Sequence, residues 1–426
     1  MPWKPLLIVM AVALVVRLAC VAATPAYAPS GDPADYDRHA ISLSQTGAFA
    51  PTAQAEPGGA SALRPPLYPL VLAGTYEATG ARWTPARLLG VLLGTLAVGL
   101  LFLLADVVFG RSIAKWTGGL AAMYPPLTWL PAGLSAENLF IPLALAALLA
   151  LVRLRATGSL RWAAGAGLLI GLAALTRSNG LVLLVPALLA IFAGRDGAAR
   201  TLRERRLPAA GALLAALVVT LVPWTVRNAS EFGRLLPLGT QSGYTIAGQY
   251  NPVAAQRDDF EAMWRVPETV PHFEGLFRRP GVDEADLDAQ LRSLGFDYAL
   301  DHPGYVLRVV VLNAQRMFDL GPNFAFSRTV SYDEMGIPRP QHGQVSGWVR
   351  LVLLLAIAGA IVLWRRRRLG PLWLWSAPLL LFASVVGLLA APRYRTPVDP
   401  FLLLLAGAAL SATWGRIRHR RAPAAA

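Results

Sequence analysis

A chain of 426 residues that is 55% hydrophobic and only 15% charged is too apolar for a soluble protein, in which about a quarter of the residues would be charged. The formal net charge of +14 would point to nucleic acid if the basic residues lined one face of a soluble domain; they come instead in short clusters between apolar runs, as in membrane proteins. Cys20 is the single cysteine, which excludes an internal disulfide and a thiolate-rich metal site. The chain therefore reads as an all-α polytopic membrane protein.

Residues 6–23 form the first apolar run, preceded by Lys4. Ala26-Tyr27-Ala28 mimics a signal-peptide cleavage site, but Arg17 deep in the run argues for a retained span. Further runs recur at 85–109, 116–130, 139–152, 162–175, 181–193, 209–226, 348–364, 372–391 and 401–414, giving about ten transmembrane helices. The linkers 110–115, 153–161, 195–206 and 365–368 and the tail 416–421 are basic. Counting spans alternately puts all five on one side with the N-terminus, and the positive-inside rule makes that side cytoplasmic.

The opposite, exterior side then receives 24–84, 131–138, 177–180, 227–347 and 392–399. The expected organisation is an N-terminal membrane module at 1–226, a small exterior or periplasmic subdomain at 227–347, and C-terminal spans with a basic tail at 348–426. A connection of about 120 residues is too long to lack structure of its own. Within it, 283–294 and 298–317 read as helices, the second apolar on one face. The Gly-rich stretch near Gly165 lies inside a span, where small residues let helices approach closely.

The first exterior loop packs Asp32, Asp35, Asp37, Arg38 and His39 together just past the exit of the first span. Carboxylates held beside a membrane face water, a pocket or a substrate. Arg17, Arg64, Arg177, Arg227, Arg393 and Arg395 all sit at or near exterior span ends, against the positive-inside trend. One such arginine is ordinary snorkelling, whereas six from five separate segments suggest a cationic ring around an exterior cavity. Guanidinium is the best bidentate partner for phosphate, so a lipid-linked phosphate fits that ring, with Tyr68 and Tyr394 beside the arginines of RPPLYP and PRYR. Asp32, Asp35 and Glu137 are the candidate catalytic carboxylates: transfer of a sugar needs a base for the acceptor hydroxyl, and Asp32 is the first choice. The bland alternatives are that Asp32 caps a helix and that Glu137 merely favours a helix dipole. His39 lacks zinc-type spacing, so no metal ligand and no cofactor is assigned, although the acids could accept a divalent metal.

The ordered segments GDPADY, RPPLYP, ARLLGVLLG, LSAENLF, ALTRSNGL, PWTVRNASEFGRLLPLGTQSGY and PRYRTPVDPF resemble the GT-C superfamily. Within it the similarity is to the group of protein O-mannosyltransferases and aminoarabinose transferases. The resemblance implies an inverting hexosyl- or pentosyltransferase in the plasma membrane, bacterial inner membrane by expectation, working on the exterior face. Its donor would be a polyprenyl-phosphate sugar and its acceptor a lipid, glycan or protein. The same resemblance places a catalytic Asp at Asp32 and a second-loop acid at Glu137. GDPADY departs from the Asp-Glu pair of the eukaryotic mannosyltransferases at Asp35. The competing class is a lipid or sugar transporter or flippase, which would want ionisable residues at mid-membrane.

Overall fold

The computed structural model describes residues 3–193, 202–258, 260–321, 324–389 and 391–421, and all of their regular structure is helical. Most of the expected basic linker at 195–206 lies outside the described residues. In chain order, α1 (Lys4–Ala22) leads to the amphipathic α2 (Asp32–Thr46) and to α3 (Leu67–Thr79). Then come α4 (Trp83–Phe109), α5 (Arg111–Met123), α6 (Pro125–Trp129), α7 (Glu137–Thr157), α8 (Leu160–Thr176), α9 (Leu184–Phe192) and α10 (Arg206–Phe232). After an insert, α16 (His342–Arg365), α17 (Leu372–Val386) and α18 (Asp399–Arg421) close the bundle.

Among the described residues six segments are long and apolar enough to cross a membrane: Lys4–Ala22, Trp83–Phe109, Glu137–Thr157, Arg206–Phe232, Arg339–Arg365 and Asp399–Ile417. Leu160–Thr176, Ser178–Phe192 and Leu372–Val386 are shorter apolar helices. At 1.5 Å per residue these 15 to 17 residues rise about 22–26 Å, at or just below the short end of the range for spanning helices. The apolar run at 116–130 is not one helix. It breaks at Tyr124, because Pro125 and Pro126 cannot donate the amide bonds that would carry α5 into α6. Of about ten apolar runs legible in the sequence, six lie in the long segments above among the described residues, and the others lie in shorter apolar helices.

Small residues set the closest approach between helices. A Cβ on Gly167 would strike the backbone of Leu213, and one on Gly171 would strike Thr220, so α8 lies directly against α10. The outer surfaces expose Leu7, Ile8 and Val15 on α1, Val218, Val219 and Val226 on α10, and Leu351 and Leu354 on α16. In water such stripes would be costly; against lipid tails they are the expected surface.

The insert between α10 and α16 carries α11 (Gln241–Gln249), α12 (Glu274–Phe277), α13 (Glu284–Asp301), α14 (Pro303–Met317) and α15 (Ala325–Glu334). Asp283 caps α13 by accepting from the Asp286 amide at 2.7 Å. The expected second helix starts at Pro303 rather than Tyr298, since the proline forces His302 out of helical geometry (φ −127°, ψ 59°). Buried Glu284 ties this insert to the loop after α2. It accepts from Thr52 Oγ1 at 2.5 Å, from the Ala62 amide at 2.7 Å and from Thr240 Oγ1. That clip fixes the loop that delivers Arg64.

Candidate active site

Six separate segments converge where α1 gives way to α2. Gly31 precedes α2 with φ +60°, and a Cβ there would collide with the Glu334 carboxylate, so only glycine fits both the turn and the contact. Asp32 is the first residue of α2, and its side chain caps nothing. Its oxygens accept instead from Arg64 Nη2 at 2.6 Å, from Arg393 Nη2 and from the Tyr394 hydroxyl at 3.1 Å. Three donors from distant segments on one carboxylate are a built arrangement, not a solvated loop.

Asp32 and Asp35 lie three residues apart on one helix face, and a single guanidinium spans them. Arg64 Nε donates to Asp35 Oδ2 at 2.7 Å while its Nη2 holds Asp32. Arg64 reaches them from the bend that precedes α3, where Pro65 and Pro66 keep the helix from starting before Leu67. Asp35 also accepts from Arg38 at 2.8 Å. His39 is buried beside Asp35 at 3.8 Å and packs on Phe49; burial depresses its pKa to about 4, so it is a neutral packing residue.

On the other side of Asp32, Arg393 is nearly fully buried and is shared by three carboxylates. It pairs with Asp32, lies 3.5 Å from Glu137 and reaches Glu334 at 3.2 Å. Glu137 opens α7 and also pairs with Arg177, which sits in the extended turn that ends α8 and stacks toward the Tyr394 ring. The acids Asp32, Asp35, Glu137 and Glu334 thus balance Arg38, Arg64, Arg177 and Arg393. The environments of two of these acids diverge. Burial disfavours charge on Asp32, yet Arg64 and then Arg393 outweigh it and hold its pKa below the usual carboxylate range. Burial pushes Glu334 up to about 7, with Asp32 and Glu137 adding to the rise and Arg393 only partly offsetting it.

Two cavities meet at this cluster. The first, of about 480 Å³, lies between the ends of the apolar helices, with Leu181, Leu221 and Val385 on its walls and Arg177 at its head. The second, of about 710 Å³, opens into the insert, where Tyr244, Trp264 and Phe326 face Asp35 and Glu334. Asp32, Arg64 and Tyr394 border both. Among the described residues no group of three or more His, Cys, Asp or Glu is arranged to hold a metal ion.

The other expected residues take structural positions. Arg227 donates to the Ser61 carbonyl at 2.8 Å and lies over Phe49 and Trp224, pinning the loop after α2 to α10. Tyr68 is buried edge-on against Tyr36 at 5.2 Å. Arg395 points into the bundle, where it pairs with buried Asp399 at 2.8 Å and donates to the Met317 carbonyl. Pro392–Arg395 is a 3₁₀ turn, and residues two apart in such a turn leave it in different directions, so Arg393 and Arg395 are not interchangeable. Arg17 does not snorkel; it is buried among α1, α4 and α5 and donates to the Ala13 carbonyl at 3.2 Å. Glu334 was not foreseen. Its one sequence signal was an acid pair, Asp333-Glu334, close before a span, the same placement that marked Asp32.

Residues 63–224 match the family model for dolichyl-phosphate-mannose-protein mannosyltransferase. Among curated proteins no sequence matches significantly. The archaeal oligosaccharyltransferase AglB from Archaeoglobus fulgidus, solved with an inhibitory peptide and a dolichol-phosphate, superposes with a TM-score of 0.56 at 15% identity over 98% of this chain and 51% of that one. The Archaeoglobus fulgidus oligosaccharyltransferase tethered to an acceptor peptide gives 0.58 at 15% identity, over 98% and 50%. ArnT from Cupriavidus metallidurans bound to undecaprenyl phosphate gives 0.43 at 17%, over 97% and 78%. The chain spans about half the length of the oligosaccharyltransferases it matches, and at these identities the likeness is one of fold. In sequence over 63–224 and in fold over nearly its whole length, the chain is similar to glycosyltransferases of the GT-C superfamily.

Proposed function

We propose that this protein is an inverting membrane glycosyltransferase that moves a sugar from a polyprenyl-phosphate carrier to a hydroxyl-bearing acceptor on the exterior face. The observation that carries this reading is the position of Asp32, on the wall shared by a cavity with leucines from the apolar helices and a cavity with aromatic residues of the insert. An isoprenoid chain suits the leucine-lined walls of the first, with its phosphate at Arg177 and Arg64. An acceptor suits the second, and a sugar spanning the wall would put its anomeric carbon beside Asp32. Entry of donor and acceptor from opposite sides is the geometry of an in-line displacement, hence of inversion.

The transition state of glycosyl transfer carries positive charge near the anomeric carbon, and a carboxylate kept ionised beside it stabilises that charge. Asp32 meets this need because Arg64 and Arg393 hold it ionised. Asp35 and Glu137 position the guanidiniums, the first through Arg64 and the second through Arg177 and Arg393. Support for the donor comes from the dolichol-phosphate in the archaeal relative, and support for the exterior face from the alternation of basic linkers along the chain. Whether the acceptor is a lipid, a glycan or a protein is the choice made by the second cavity. No feature of the chemistry requires a divalent metal.

The test uses purified protein in lipid nanodiscs with radiolabelled hexosyl- and pentosyl-phosphoundecaprenols, scored by release of undecaprenyl phosphate in the presence of a membrane extract as acceptor source. The wild type should turn over at least one donor. Arg177→Ala should lose a charge-assisted contact of about 1.5–3 kcal/mol, raising KM for that donor on the order of ten- to a hundredfold. A protein that neither binds undecaprenyl phosphate nor consumes any donor refutes the reading.

A further inference from the structure

The proposed transfer leaves one proton unassigned. As the acceptor oxygen bonds to the anomeric carbon, the bond from that carbon to the phosphate oxygen breaks, the carrier phosphate departs with the electron pair, and the acceptor O–H must lose its proton to a base. Asp32 is poorly placed to take it. Its two oxygens already accept from Arg64, Arg393 and Tyr394, and its low pKa makes it a weak base.

From this geometry we propose that Glu334 is the catalytic base, taking the proton of the acceptor hydroxyl in the cavity that the insert forms with α2. The inference rests on the glycosyltransferase reading and adds to it a residue and a division of labour between two acids. Glu334 ends α15 with its side chain turned into the bundle and lines the insert-side cavity together with Asp32 and Asp35. It is clamped there from both sides: its carboxylate abuts Gly31, and a Cβ on Gly133 would strike its carbonyl oxygen. The carboxylate keeps some exposure toward the cavity, about 15%, while Arg393 Nη1 holds one of its oxygens at 3.2 Å. The other oxygen, Oε1, lies against Gly31, and neither oxygen accepts a hydrogen bond from Arg64 or Tyr394, so the carboxylate keeps lone pairs for a proton.

The charged groups that face Glu334 come from every neighbouring element. They are Asp32 on α2, Arg64 ahead of α3, Glu137 at the start of α7 and Arg393 in the turn before α18. On its own helix, Asp333 turns outward to Arg339 at 3.2 Å. These surroundings leave Glu334 with a pKa of about 7, whereas Asp32 is driven the other way. Two carboxylates that share the Arg393 guanidinium and whose environments separate their pKa values divide the work: the ionised one stabilises charge and the elevated one moves protons. The donor is a phosphodiester, ionised throughout the working range, so it adds no titration of its own.

The experiment compares wild type, Glu334→Gln and Glu334→Asp in nanodiscs, with the radiolabelled donor that the wild type turns over best. Wild-type kcat/KM should fall as pH drops through about 7, because protonated Glu334 cannot accept a second proton. Glu334→Gln should lose on the order of a hundred- to ten-thousandfold in kcat, keep its affinity for undecaprenyl phosphate, and show no acid limb in its residual rate. Glu334→Asp should recover part of the rate with a displaced limb. A glutamate that only orients Arg393 would change donor KM and leave the limb in place, and that result overturns the assignment. So does Glu334→Gln turnover within a few-fold of wild type. A wild type inert toward every donor overturns the glycosyltransferase reading instead, and the base with it.

Discussion

Asp32→Asn is the most informative single change, because the structure separates what it does to stability, to phosphate binding and to turnover. Asparagine keeps the size of the side chain but replaces one acceptor oxygen with a donor and removes the charge. Removing one partner of a buried ion pair costs about 3–5 kcal/mol when the other charge is left alone. Neither arginine is left alone here. Arg64 keeps Asp35 at 2.7 Å, and Arg393 keeps Glu334 at 3.2 Å with Glu137 at 3.5 Å. The fold should therefore survive with a cost well below that range. The cluster also gains one positive charge, so undecaprenyl phosphate should bind the variant at least as tightly as the wild type. Turnover should nevertheless fall: losing one preorganised electrostatic contact to a transition state costs about a hundred- to a thousandfold. The assay pairs donor turnover with a titration of undecaprenyl phosphate followed by thermal shift, and Asp35→Asn, on the far side of Arg64, should lose less. Near-normal turnover in Asp32→Asn would return Asp32 to a scaffold role. Parallel loss of turnover and phosphate binding would show that it only organises the arginines.

Two further outcomes test the frame around the site. Glu284→Gln should weaken the clip between the loop after α2 and the insert, since the amide cannot reproduce acceptance from Thr52, Ala62 and Thr240 together; a charged hydrogen bond of this kind contributes about 1.5–3 kcal/mol. The expected signs are a lower thermal midpoint and easier proteolysis of the 47–66 loop, and an unchanged midpoint would show the clip to be idle. For topology, reporter fusions at Ser159, in the turn between α7 and α8, and at Asp283, at the head of α13, should report opposite compartments. Finding both on one side would remove the exterior site.

What the sequence made legible follows from where physical chemistry leaves a one-dimensional trace. Apolar runs and basic linkers are set by the bilayer, so the helices and their order could be read directly. The break at Tyr124 was also written in Pro125-Pro126, but hydropathy alone ran across it. Asp32 was visible because a carboxylate at a span exit is costly and therefore informative. The helix-cap alternative could be settled only by coordinates: Gly31 takes the N-cap position and Asp32 spends its oxygens on Arg64, Arg393 and Tyr394.

Direction is what a linear pattern does not carry. Arg393 and Arg395 are equivalent by composition and by distance from the membrane, yet one joins Asp32, Glu137 and Glu334 while the other is consumed by Asp399 inside the bundle. Asp333 and Glu334 are the same case at the end of α15: one faces Arg339 at the surface, and the next faces the cavity. In both pairs a rotation of one or two residues decides whether a charge serves the site or the scaffold. The same reasoning explains why the acids do different work. A carboxylate gripped by two guanidiniums stays ionised and fixed, and one that shares a single guanidinium with Asp32 and Glu137 stays protonatable. Their roles are set by how many cations each one is given, and that number depends on the fold of six distant segments rather than on either residue's neighbours in sequence.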